Sequence, residues 1–447
     1  MTLKHPHNFA NNWDDLLQPI FSALLRSSLA LTRGQGSLSV TRASIATVWA
    51  YPPAAVSGDP LVLITVASGE ARFTGARRIS EGVWSNTFAD GTPIPASTLK
   101  GALIEDSRTN LNIYSEQYDI ANWAKNEATV TANAVVAPTG TSIADKIIPS
   151  VVNTSHYVTI GATVGVGSNY VYSAYARPDG YDSLTFQFGG AGQTVQENAL
   201  YTLSGTGTAT DGAPAPTSKG IKAYDNSWYR ANMVAPWEAT TASPISIVGN
   251  AGSYSFAGDG TSGIDLFGAQ LELGNFPSSY IPTPTNATVS RNADVISAQT
   301  SGNINSTRGS IVLAFSMAYA PISPNTYILW GSRVDANNYT RITLTTTFLT
   351  FLKVVGGVSY SAAISSAGVT ADSIHKVAAK WDDVNGTQIF LNGVAGTPNA
   401  NTAAVQLAST MEIGSSGAGA TQAFASIKDV KIYSSARGDS NLIQLTA

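Results

Sequence analysis

Three kinds of side chain in this sequence could do chemistry at a surface: carboxylates, aromatic rings and neutral hydrogen-bonding groups. Cleaving a glycosidic bond needs two carboxyl groups facing one cleft, about 5.5 Å or roughly 6.5–9.5 Å apart according to mechanism. Asp179 and Asp182, Asp259 and Asp265, Asp335, and Asp382 with Asp383 are available. Each sits in a turn-like context, where Asp is favoured for backbone hydrogen bonding alone. The turn reading outweighs catalysis. The chain has no Gly-x-Ser-x-Gly elbow, no His-Glu-x-x-His and no phosphate loop. It also lacks the short-period repeat of a parallel β-helix. With no Cys, disulfides, thiolate catalysis and zinc–thiolate sites drop out together. Four His, two of them His5 and His7 at the start, build no three-His metal centre. The expectation is a protein that is not an enzyme and carries no organic cofactor.

Oxygen ligands remain. Asp259, Asp265 and Glu272 could serve a structural calcium ion, with backbone carbonyls completing six to eight ligands. Asp265 and Glu272 differ by an odd number, however, and face opposite sides of one straight strand. Sugar binding needs exposed rings, because sugar C–H faces stack on them while hydroxyls take neutral hydrogen bonds. Trp123, Tyr170, Tyr172, Tyr175, Tyr181, Trp228, Tyr229 and Trp237 are the supply. Tyr172 and Trp228 lie in strand-like runs and read as packing. Tyr181, in the turn-like run Pro178–Asp182, and Trp237, after Pro236, read as loop rings available to a glycan. The run Asp335–Tyr339 offers Asn337 and Tyr339 in the same way.

These residues need elements to position them. Only 12% of the 447 residues are charged, against roughly 25% in a typical soluble protein. Thr, Ser, Asn, Gly and Ala take the place of charge, a composition suited to strands and turns. Net charge is −4 with no basic cluster, which disfavours nucleic acid as a partner. Trp13, Leu16, Leu17, Ile20, Phe21, Leu24 and Leu25 recur at helical spacing, with Asn12 as N-cap. The apolar stretch Leu16–Leu31 is broken by Gln18, Pro19 and Arg26, so neither a signal peptide nor a membrane span is expected.

After Gly36 the pattern turns to period two. Residues 37–109 read as an irregular β connector, 110–285 as one antiparallel sandwich, and 286–447 as a second. One internal echo stands out: Val40-Thr41-Arg42-Ala43 against Val289-Ser290-Arg291-Asn292-Ala293-Asp294. The expected class is all-β: tandem antiparallel β-sandwiches of jelly-roll type, preceded by a short N-terminal helical segment over 1–36.

Several phrases, in order, carry a resemblance. They are Gly101–Leu111 (GALIEDSRTNL), Tyr114–Tyr118 with Trp123, Thr141–Lys146, Tyr172–Arg177 and Ser227–Arg230. The run closes with Gly258–Gly263, Gly268–Glu272 and Ser279–Thr283. Across 99–294 this resembles bacteriophage tail- or head-fibre chains with sandwiches like carbohydrate-binding modules. The phrases His375–Asp382, Ile389–Gly393 and Ile427–Arg437 resemble laminin-G-like or concanavalin-like jelly rolls. The resemblance implies a structural and adhesive component on the outer surface of a phage virion, binding host cell-surface glycans. It also implies a homotrimer joined to other virion proteins through residues 1–36, with no membrane insertion. A polysaccharide-cleaving virion enzyme and a decoration protein without a ligand are the alternatives.

Overall fold

A computed structural model describes residues 39–190, 192–323, 325–416 and 422–447. The expected N-terminal helix and docking segment over 1–36 lie outside the described residues. The described chain is almost entirely antiparallel strand, as the low charge and period-two patterning imply. One short helix, Asp439–Thr446, follows the last strand. Among the described residues no helix is long and apolar enough to cross a membrane.

The central sandwich has a six-stranded sheet in the order Ala128–Val136, Ser142–Pro149, Gly263–Leu273, Asn169–Asp179, Tyr229–Pro236, Ser218–Ala223. The facing sheet is built around Ser183–Gly189, Thr241–Gly249 and Thr154–Thr159. Alternation along Asn169–Asp179 sends Tyr170, Tyr172, Ala174 and Ala176 into the core between the sheets. Its other side chains, including Tyr175, face outward into a second apolar cluster with Trp228, Phe267 and Tyr280. Both faces of this sheet are therefore covered.

The C-terminal sandwich packs a seven-stranded sheet, running from Ser39–Thr41 at one edge and Val295–Gln299 beside it to Val358–Ser365 at the other, against another built on Gly309–Met317, His375–Asp382 and Ala425–Tyr433. Three short strands of the stretch expected as an irregular connector over 37–109 pair into these sheets. Ser39–Thr41 pairs with Val295–Gln299, and Gly101–Ile104 pairs with Ala425–Tyr433 and with Phe73–Thr74. An open sheet edge leaves N–H and C=O groups without partners, and these upstream strands supply them. The central sandwich is thus inserted between the first and the remaining strands of the C-terminal one. The chain leaves and returns through a two-stranded neck, Arg108–Asn110 against Val289–Arg291.

A hairpin, Ala46–Ala50 with Val62–Val66, is wedged between the sandwiches. Val48, Ala50 and Val66 join the C-terminal core, while Trp49 and Leu63 turn to the central sheet's outer face. Beside it lies a buried charge cluster. Asp294 accepts from Arg42 at 3.0 Å and from Arg72, and Glu105 accepts from Arg72 at 2.8 Å and Arg291 at 2.9 Å. The Ser279 backbone N–H and hydroxyl donate to Glu105 as well. Both halves of the echo reach this cluster: Arg42 follows Ser39–Thr41, and Arg291 ends the strand Val289–Arg291.

Candidate functional site

Cross-strand register builds the site. On the outer face of the central six-stranded sheet, Lys222 stands opposite Arg230, Arg230 opposite Tyr175, and Tyr175 opposite Phe267. A bulge makes this row possible. The register of Asn169–Asp179 against Gly263–Leu273 shifts between Ser173 and Tyr175, beside Gly268 at φ +67°. Glycine enters that left-handed region without steric cost.

Above this row the hairpin, the segment Phe276–Tyr280 and the C-terminal sandwich leave a cleft of about 360 Å³. Trp49, Tyr175, Tyr224 and Tyr319 bring rings to it, and Lys100, Lys222, Arg230, Asp225, Asp372 and Glu105 bring charge. Trp49 stacks on Tyr224 with centroids 4.1 Å apart and planes 15° from parallel. The cleft communicates with solvent, since Ala223, Asp225 and Ala318 in its lining are exposed.

Most of the charge is spoken for. Asp372 pairs with Lys222 at 2.5 Å, and its carbonyl accepts from Lys100 at 2.9 Å. Asp225 accepts the Leu61 N–H at 3.1 Å. Burial pushes Glu105 up, but Arg291 and Arg72, with the Ser279 hydrogen bonds, hold it down at about 2. Arg230 differs. It is 5% exposed, donates to the Ser278 carbonyl at 2.7 Å and the Ser173 hydroxyl at 3.1 Å, and lies 5.3 Å from the Tyr175 ring centre. Its Nε–H and the Tyr175 hydroxyl are both buried with no hydrogen-bond partner. Burial, foremost, raises the Tyr224 and Tyr319 phenols well above their ordinary value, so both stay protonated donors.

The residues expected from sequence are placed elsewhere. Trp237 is fully buried, its ring 4.4 Å from Phe188 and its Nε1–H on the Thr241 carbonyl at 3.1 Å. Tyr181 is buried against Phe256, and its hydroxyl accepts the Asp259 N–H at 3.0 Å. Neither ring offers a face to a sugar, which corrects their reading as open loop aromatics. Asn337 lies in an exposed turn closed by its N–H on Asp335 at 2.7 Å. Tyr339 starts the next strand, half-buried, with Arg341 over its ring at 4.7 Å. These two adjoin one another, apart from the cleft's lining.

The calcium ligands are not brought together. The bulge at Gly268 resets the alternation, so Asp265 and Glu272 face the same side after all. Seven residues of strand still separate them by roughly 23 Å. Asp265 is tied to Arg177 at 2.8 Å, and Glu272 accepts from Gln270 at 2.7 Å and from Ser278 at 2.8 Å and 2.7 Å. Asp259 is exposed and closes its own turn on the Thr261 and Ser262 N–H groups. Among the described residues no group of three His, Asp or Glu is placed to hold a metal. The remaining carboxylates also close turns or pair: Asp179 with Lys146, Asp383 with Arg308, and Asp382 with the Val384 and Asn385 N–H groups.

No family model matches the chain, and no curated protein does. Among solved structures it is similar to the CBM40 module of a Ruminococcus gnavus IT-sialidase. That likeness has 15% identity and TM-score 0.27, covering 32% of this chain and 84% of that one. It is also similar to the receptor binding domain of botulinum neurotoxin C/D mosaic serotype, at 13% identity and TM-score 0.28, covering 34% and 40%. A third is a heptameric SAP-like pentraxin from Limulus polyphemus, at 13% identity and TM-score 0.25, covering 32% and 70%.

Sequence reasoning had Tyr175 among its ring supply and Arg230 within a phrase, but missed Trp49, Tyr224 and Tyr319. Each comes from a different segment, and no local pattern joins them. The one usable signal is that both outward and inward positions of Asn169–Asp179 are bulky, the mark of a sheet covered on two sides.

Proposed function

We propose that this chain is an adhesive structural protein that holds a saccharide in the cleft between its two sandwiches. The observation that carries the reading is the cleft itself: aromatic rings, phenol donors and charged groups lining about 360 Å³ that opens to solvent. Ligand sites of this kind combine apolar walls with a few convergent polar groups. The ordered phrases between residues 99 and 294, and the neutral Ser/Thr/Asn-rich composition, support a place on the outer surface of a phage virion as a fibre component. There, trimeric display would convert weak sugar contacts into avidity.

Binding is favoured over cleavage. A glycosidase needs one carboxyl group protonated and one ionised at the same bond. Glu105 is held ionised between two guanidinium groups, and Asp372 is tied to Lys222. The test is saturation-transfer NMR and intrinsic fluorescence of the full chain against a panel of bacterial surface oligosaccharides. Binding should quench tryptophan emission, and Trp49→Ala should weaken binding about tenfold through lost ring contact. Reducing-sugar release by the purified chain would instead establish an enzyme. Absence of the protein from purified phage particles would remove the virion role.

A further inference from the structure

The cleft contains an imbalance that the lining's own pairing does not resolve. Arg230 is buried and charged, yet among the described residues no carboxylate lies within ion-pair distance of it. Buried charges in proteins are ordinarily paired or fully hydrogen-bonded. Two of its donors reach neutral oxygens, and Nε–H reaches none. Around it stand three phenols. The Tyr175 hydroxyl is buried without a partner, on a residue with no exposure at all. Tyr224 and Tyr319 also line the cleft and interact electrostatically with Arg230. Tyr224 and Tyr319, whose phenols burial keeps protonated, are donors. The array therefore offers one guanidinium and two O–H groups of the cleft lining, with no described carboxylate in ion-pair contact with Arg230.

We propose that the cleft selects an acidic saccharide, whose carboxylate is taken by Arg230 and the hydroxyls of Tyr224 and Tyr319, with Tyr175 packed beneath Arg230. This inference rests on the saccharide-binding reading above and gives it a substrate class. A guanidinium is planar and suits a carboxylate, which accepts through two oxygens and has no proton to give. A neutral sugar hydroxyl would accept from the array too, but would bring no negative charge to a guanidinium that the Glu272 carboxylate favours electrostatically without an ion pair. The stacked Trp49–Tyr224 pair then supplies the wall for the sugar ring. Lys222 is ion-paired with Asp372 and Lys100 donates to the Asp372 backbone carbonyl, so Arg230 is the one buried cation of the three.

The experiment uses the full chain and matched pairs of methyl glycosides: glucuronic against glucose, galacturonic against galactose, and mannuronic against mannose. Titration calorimetry should give at least one acid that binds about tenfold or more tightly than its neutral partner, the difference a charge-assisted hydrogen bond supplies. Tyr319→Phe and Tyr224→Phe keep the rings and remove one donor each. Each should weaken the acid about five- to tenfold and the neutral partner by less, because a donor to an ionised acceptor contributes more than one to a neutral hydroxyl. Arg230→Gln, checked for folding by circular dichroism, removes the charge and should abolish the preference for the acid. Equal binding of acid and neutral partners would overturn this inference and leave the saccharide reading standing. A preference for the hexose 6-sulfates over the uronic acids would overturn the carboxylate assignment. No binding by any sugar would overturn both readings.

Discussion

At the residue scale the informative atom is the Tyr175 hydroxyl. A buried hydroxyl without a partner costs about 1–3 kcal/mol relative to one left in water, and such a cost persists where a ligand or function redeems it. Tyr175 cannot turn away, because its ring is fixed among Trp49, Tyr224, Phe267 and Tyr280, with centroids 5.9–6.3 Å away. Tyr175→Phe keeps that packing and removes only the orphan donor. It should stabilise the unliganded chain by about 1 kcal/mol in urea unfolding. A loss of stability would show that the hydroxyl already has a partner in the free protein. Trp237 teaches the opposite lesson. Its place after a proline suggested a loop, but its ring is buried against Phe188 from the facing sheet and its N–H is satisfied. Exposure depends on what packs across from a residue, and a local window contains no such information.

At the scale of elements, the bulge at Gly268 is the hinge of the site's geometry. It lets Phe267 and Gln270 face the same side of one strand, so the row Lys222–Arg230–Tyr175–Phe267 stays continuous with the glutamine and glutamate beyond it. A side chain at 268 would meet two obstacles. Its Cβ would lie 3.1 Å from the Tyr280 ring and 3.2 Å from the Tyr175 ring, at a backbone φ of +67°. Gly268→Ala should therefore cost about 2 kcal/mol, combining left-handed strain with crowding, and should disturb sugar binding through Tyr175. A neutral result in thermal melts would mean that the bulge is not pinned by glycine. Strand content was legible because period-two alternation is a local property, and so were most strand positions. The partnership of strands was not. Ser39–Thr41 and Gly101–Ile104 look like fragments of a connector, since their partners in Val295–Gln299 and Ala425–Tyr433 lie hundreds of residues later in sequence. The phrases at 101–111, 268–272 and 279–283 are legible as part of an ordered set, and the structure brings them together. They meet at the neck and in the charge cluster beside it.

At the scale of the whole molecule, that cluster joins the two sandwiches and one wall of the cleft. Arg42 and Arg72 come from the upstream strands, Glu105 and Arg291 flank the neck, and Asp294 leads into the C-terminal sandwich. Glu105 links the cluster to the cleft through Ser279, which lines the same space. Its carboxyl is held at about 2 in the folded chain, against an unfolded value of 4.5. A carboxylate whose folded value is depressed adds stability that is fully present above the unfolded value. That stability is lost as pH falls from about 4.5 toward 2, and the shift corresponds to something on the order of 3 kcal/mol. Glu105→Gln should remove this acid-labile part and leave Arg72 and Arg291 facing a neutral group, destabilising the protein by about 3–5 kcal/mol at pH 7. The decisive comparison is denaturant unfolding of both proteins at pH 7 and pH 3. The parent chain should lose stability steeply between the two, and the variant should change less. Parallel pH dependence would show that Glu105 is not the residue through which acid loosens the junction. Because the cleft is walled by both sandwiches, acid that opens this junction should release a bound sugar before either sandwich core unfolds.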